Sequence, residues 1–181
     1  GQRAMRIGAI FENWKEGEFD WSLPYGYGLD FGYEPDPSAM VAVAIDKKRK
    51  VIYLKEELYQ TKLSSEALRE AVSVRLKRRN DLVVADSANK REIQDLAASG
   101  INIISAKKGP GSIRIGLRAM LGYQLVIDPS GRNLVKELSN YVWNDRKSDT
   151  PIDDYNHLID AARYFFMFSV FNKKPKIRRR N

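Results

Sequence analysis

Cysteine is absent from this 181-residue chain, and histidine occurs once, at His157. The first absence excludes disulfides, thiolate zinc sites and cysteine nucleophiles together, and it suits a reducing compartment. Long apolar runs are missing too. The stretch 161–171 is interrupted by Arg163 and is too short to cross a bilayer, so no membrane partner is expected. The first residues do not read as a secretory signal. A phosphate-binding loop of the Gly-x-x-x-x-Gly-Lys-Ser/Thr type is also lacking, so this chain is not expected to hydrolyse ATP by itself. No internal repeat is visible.

Positive charge is plentiful, but it is unevenly placed. The formal net charge is +8, and the last residues, Lys173-Lys174-Pro175-Lys176-Ile177-Arg178-Arg179-Arg180, carry six of those charges, leaving 8 − 6 = +2 for the rest. The globular part is therefore only mildly basic. Net charge alone supports a polyanionic partner weakly, and a solvated tail explains it equally well.

The length allows one domain with a sizeable core. Residues 1–24 mix Trp14, Phe19 and Trp21 with acids and show no clean period, so they read as an irregular lead-in or linker remnant. From residue 25 the pattern sharpens into a domain extending to 172, with 173–181 as a basic tail. Tyr27, Leu29 and Phe31 alternate with Gly28, Asp30 and Gly32, the period-two signature of a strand with one apolar face. Strands over 39–46 and 51–59 follow through short turns, which favours an antiparallel meander. Thereafter strands and helices alternate. Ser64 caps a helix to 79, and 81–86 is a short apolar strand of the kind buried on both faces. A helix to 98, a strand over 101–106, a helix over 112–123, a strand over 125–127, and helices over 134–143 and 153–171 complete the series. This order predicts an α/β fold, a mixed sheet of a three-strand antiparallel meander plus parallel strands, flanked by helices. It is the order of the ribonuclease H-like fold, which by itself says nothing of function.

Three carboxylates fall where such a sheet could gather them. Asp30 sits within the first strand between Gly28 and Gly32, whose missing side chains leave room for something large to approach. Asp86 ends an apolar strand, the end at which α/β sheets usually place ligands. Asp160 lies one turn beyond His157 on the final helix. Asp153, His157 and Asp160, at i, i+4 and i+7, would then share a face. Each residue also has an ordinary reading: Asp30 on the polar face of an edge strand, Asp86 as a helix N-cap, His157 as a surface histidine, and Asp153 and Asp154 as first-turn acids.

Crowded aspartates repel one another unless a cation neutralises them. Oxygen-rich ligands with at most one imidazole favour Mg²⁺ or Mn²⁺ over zinc. Two such ions roughly 3.5–4 Å apart suit phosphodiester hydrolysis without a protein nucleophile. On this reading Asp30 bridges both ions, Asp86 holds one and Asp160 the other, with His157 assisting Asp160 or completing a coordination sphere. Lys107 and Lys108 precede a glycine-rich turn into a helix beginning near Ser112, where a phosphate could rest, although Ser112 could equally be an ordinary cap. Arg114 and Arg118, at i and i+4, would extend that basic strip or face solvent.

The strings Gly28-Leu29-Asp30-Phe31-Gly32, Val83-Val84-Ala85-Asp86-Ser87-Ala88 and Asn156-His157-Leu158-Ile159-Asp160-Ala161-Ala162-Arg163-Tyr164 resemble the three motifs of the phage terminase large-subunit nuclease. The stretch from Ala106 to Ile113, and Leu134 to Trp143 with its Glu137-Leu138 and Tyr141, are similar to further segments of that family. The resemblance implies a metal-dependent endonuclease with two divalent ions, cutting double-stranded concatemeric viral DNA during packaging. It assigns Asp30, Asp86 and Asp160 as metal-binding acids, with His157 beside the last. It also implies that this chain is a C-terminal fragment, partnered by the ATPase motor domain of the full-length protein, the portal and the small terminase subunit, in the cytoplasm of an infected bacterial host. A resolvase or transposase could use a similar acidic cluster, but the signs of a dimer or a target-recognition region are missing. A silent DNA-docking module would have no need of these acids. An actin-like nucleotide-binding domain would need glycine-rich phosphate turns where Lys47-Lys48-Arg49-Lys50 stands.

Overall fold

The computed structural model describes residues 5–147 and 149–172. The expected meander is present. Strands β2 (Tyr25–Asp30), β3 (Ser38–Asp46) and β4 (Val51–Gln60) pair antiparallel in sequence, with a bulge between Met40 and Val41. β3 is buried along nearly its whole length, as its Ala-Met-Val-Ala-Val-Ala-Ile run requires of a central strand. The segment read as an irregular lead-in departs from that expectation. It contains β1 (Trp14–Glu16), which pairs parallel with β7 (Gln124–Ile127), and it sends Ile10, Phe11 and Trp14 into the core. Three residues are too few to show a period, so the sequence carries no strand pattern there.

The remaining elements alternate: α1 (Ser65–Arg75), β5 (Val83–Ala85), α2 (Lys90–Ala98), β6 (Ile103–Ser105), α3 (Ser112–Leu121), then β7, α4 (Arg132–Asn140) and α5 (His157–Phe171). They build one seven-stranded sheet in the order β1-β7-β4-β3-β2-β5-β6. Side-chain alternation splits the core in two. Tyr27, Leu29, Met40 and Ala42 face α1 and α2, while Val41, Val43, Ile52 and Leu54 face α3, α4 and α5.

Several helices are shorter than their patterns suggest. α1 ends at Arg75 rather than 79, and α4 at Asn140 rather than 143. α5 starts at His157, so Asp153 and Asp154 lie before it and do not share its face. Tyr155, with φ of +54°, breaks the helical path just ahead of that start. The basic tail 173–181 lies outside the described residues.

Candidate active site

Asp30 is the last residue of β2 rather than a mid-strand residue, and Asp86 directly follows β5. These strands are parallel neighbours, with Leu29 opposite Ala85, so the two carboxylates emerge side by side at the C-terminal edge. α5 brings the third. It crosses β2 so closely that a Cβ on Gly28 would overlap the Ala161 carbonyl, and one on Gly26 would strike the Phe165 ring. The glycines of β2 thus admit a helix, not a ligand. The room at Gly32 is filled by the backbone of Pro37. Docked in this way, α5 sets its first turn over the strand ends.

Asp30, Asp36, Asp86, Lys108, His157 and Asp160 line a cavity of about 310 Å³. His157 Nδ1 lies 3.3 Å from Asp30 Oδ2, and its Nε2 lies 3.6 Å from Asp36 Oδ1. Tyr164 donates its hydroxyl to Asp30 Oδ1 at 3.4 Å. Lys108 is ion-paired with Asp86, and Arg163, itself 3% exposed, donates to Asp160 at 3.3 Å. Three acids therefore lean on three separate basic side chains, the imidazole of His157, Lys108 and Arg163.

Burial dominates the electrostatics. It raises the Asp30 carboxyl above its ordinary value against the opposing pull of the His157 contact. It raises Asp160 to about 6, with Arg163 opposing and Asp30 adding to the rise. His157 is pushed up chiefly by its hydrogen bond to Asp30, which outweighs its own burial. Among the described residues no three His, Asp or Glu side chains stand together as ligands of one ion. The donor set nevertheless fits a hard divalent cation in kind, being rich in carboxylate oxygen with one imidazole. Lys108 and Arg163 each engage Oδ1 of their carboxylate, which leaves Oδ2 of Asp86 and of Asp160 outside those pairs.

The basic residues divide. Lys107 and Lys108 are exposed, and Lys108 lines the cleft. Arg114 and Arg118 face solvent and pair with Asp149, on the loop before α5, at 3.6 and 3.2 Å. The cap of α3 is Gly111 in the left-handed region, with Ser112 inside the helix, and Asp86 does not cap α2, which starts after Asn89. The residues that the sequence reading left without a role are Asp36, Arg163, Tyr164 and Glu137. Glu137 did leave a signal, since it shares the apolar stripe of Leu134, Leu138 and Tyr141 at helical spacing.

The sheet order, with carboxylates gathered at adjacent parallel strand ends under a crossing helix, defines a ribonuclease H-like nuclease domain. Comparison with known proteins specifies which kind. The family model described as the terminase RNAseH like domain matches residues 30–167, and the chain belongs to that family. It is 40% identical over 147 residues to the terminase large subunit of Bacillus phage SPP1, covering 77% of this chain and 35% of that protein. It is 29% identical over 132 residues to the PBSX phage terminase large subunit of Bacillus subtilis, covering 70% of this chain and 29% of that protein. The chain thus spans about a third of the length of these relatives. The crystal structure of the SPP1 large terminase nuclease domain with bound Mn superposes with a TM-score of 0.76 at 32% identity, covering 88% of this chain and 98% of that one. The P22 large terminase nuclease domain, at 17% identity and a TM-score of 0.70, covers 90% of this chain and 93% of its own, and shows the shared fold.

Proposed function

We propose that this domain is a metal-dependent endonuclease that cuts double-stranded concatemeric viral DNA during genome packaging. The observation that carries the reading is the meeting of Asp30, Asp86 and Asp160 with His157 in one cleft at the sheet edge. Asp30, Asp86 and Asp160 would hold two Mg²⁺ or Mn²⁺ ions, Asp30 shared between them and Asp86 and Asp160 each serving one. Such ions, when bound, supply a hydroxide-like water for attack on phosphorus and neutralise the leaving oxygen. The protein's own part is positional. His157 is held against Asp30, Tyr164 donates to the same carboxylate, and Lys108 and Arg163 balance Asp86 and Asp160. Lys107, Lys108 and the start of α3 form the side of the cleft that meets the DNA backbone.

In the full-length protein this domain works beside an ATPase motor, with the portal and the small terminase subunit as further partners, in the host cytoplasm. The bound Mn of the SPP1 domain supports the choice of ion, and the length of the relatives supports an additional motor. The deciding assay is cleavage of supercoiled plasmid by the purified chain in Mn²⁺, Mg²⁺ or EDTA, beside Asp30→Asn. Nicking that needs metal and disappears in the folded variant is the expected outcome, with a rate loss of about a hundredfold or more. Undiminished cleavage by Asp30→Asn would remove the assignment.

A further inference from the structure

The first turn of a helix leaves N–H groups without intrahelical partners, and the preceding residue commonly accepts from one with its side chain. Asn156 stands at that place before α5 but supplies no such cap, and its amide donates instead to Asp153 Oδ1 at 3.2 Å. The acceptor comes from another helix. Glu137 Oε1, on α4, accepts from Leu158 N at 2.9 Å and Ile159 N at 3.1 Å, while Oε2 lies 3.1 Å from Leu158 N. Glu137 is 2% exposed, a costly place for a carboxylate without partners. Those N–H groups and the positive end of α5 supply them.

The two clamped residues lie between His157 and Asp160. Their amides fix both the axial position and the rotation of that turn, and with it the direction in which both site side chains leave the helix. Capping from behind also leaves Asn156 on the cleft wall, among the residues lining the same cavity as Asp30 and Asp160. We propose that Glu137 is a positioning residue of the nuclease site, holding the first turn of α5 so that His157 meets Asp30 and Asp160 faces the metal cleft. This rests on the nuclease reading for its consequence, but not for its geometry.

His157 is the single histidine of the chain, so its imidazole gives an unambiguous NMR signal. At one fixed pH, and without added metal, Glu137→Met keeps length and volume but removes the acceptor. It is expected to shift the His157 signals toward those of a free imidazole, and to raise the Mn²⁺ concentration for half-maximal plasmid nicking about tenfold. Glu137→Gln retains Oε1 and should restore both. Val72→Ala, in the core on the opposite face of the sheet, destabilises the fold and should leave both readouts in place. Should the Met variant fail to fold, Glu137→Asp, which withdraws the carboxylate by one methylene, is expected to displace the same signals. Unmoved His157 signals in a folded Met or Asp variant, or a Gln variant as impaired as Met, overturn the proposal. So does a Val72→Ala chain that shifts as far as Met. A wild-type chain that fails to nick plasmid in Mn²⁺ counts against the nuclease reading, while the His157 signals still decide the role of Glu137.

Discussion

Two helices begin at the cleft, and they are anchored in opposite ways. α5 has its first turn clamped by a buried carboxylate and its backbone seated on Gly28, with Leu158, Ile159, Ala161 and Ala162 all buried. α3 starts from Gly111 in the left-handed region without any side-chain cap, and Ile113 and Ile115 in its first turn are about half exposed. The side carrying His157 and Asp160 is thus held from behind by packing and by the Glu137 clamp, and the side carrying Lys107 and Lys108 has few buried contacts. Ligands of a metal must be placed to within a fraction of an ångström, whereas phosphates along a DNA backbone can be met by flexible cations. On the nuclease reading proposed above, the rigid side is the one that would hold the metal and the looser side the one that would meet the DNA.

The comparison is broken most severely at the seat of α5. An alanine at Gly28 would place its methyl on the Ala161 carbonyl, and neither strand nor helix backbone can give way cheaply. Gly28→Ala should destabilise the chain by about 3 kcal/mol and suppress cleavage even where the protein stays folded. Gly109→Ala, on the α3 side, meets nothing within 4 Å and should change stability by less than about 0.5 kcal/mol. Thermal unfolding of the pair checks both, and a well-tolerated Gly28→Ala would mean that α5 is not seated as described.

The two sides were also unequally legible in the sequence. The end of β5 was readable because its apolar run stops at Asp86, and α5 because its pattern is long, whereas Asp30 read as mid-strand because Phe31 continues the alternation past the end of β2. The start of α5 was not readable, because helical periodicity continues through Asp153 while Tyr155, at φ of +54°, leaves the right-handed helical region. Room beside Asp30 was evident from the glycines, but only the packed structure shows that a helix fills it. β1 was hidden because three residues make no pattern, and their partner is more than a hundred residues away. The ion pairs of Arg114 and Arg118 with Asp149 depend on a loop path that no local rule fixes.

Acid titration tests the clamp on the rigid side. Burial raises Glu137 from 4.5 to about 7, against the opposing hydrogen bonds from Leu158 and Ile159. The folded chain therefore keeps a proton that the unfolded chain has released, and this advantage is complete below about 4.5 and lost as pH rises through about 7. Measured by denaturant unfolding without divalent metal, the stability of the wild type relative to Glu137→Gln should fall over that interval by on the order of 2 kcal/mol. A difference that stays constant with pH would show that Glu137 does not titrate there.

The smallest expected effect lies on the looser side and concerns charge alone. Lys107 is exposed and holds no ion pair among the described residues, whereas the guanidinium of Arg118 is engaged by Asp149. If Lys107 meets a phosphate, its removal should weaken DNA binding and make the dependence of log affinity on log salt shallower by about 0.9, the share of one released counterion. Arg118→Ala should alter that slope less, because its charge is already spent within the protein. Fluorescence anisotropy with duplex DNA in EDTA, across a salt series, separates the two. An unchanged slope for Lys107→Ala would place the DNA path elsewhere, and a larger change for Arg118→Ala would mean that the Asp149 pair opens when DNA arrives.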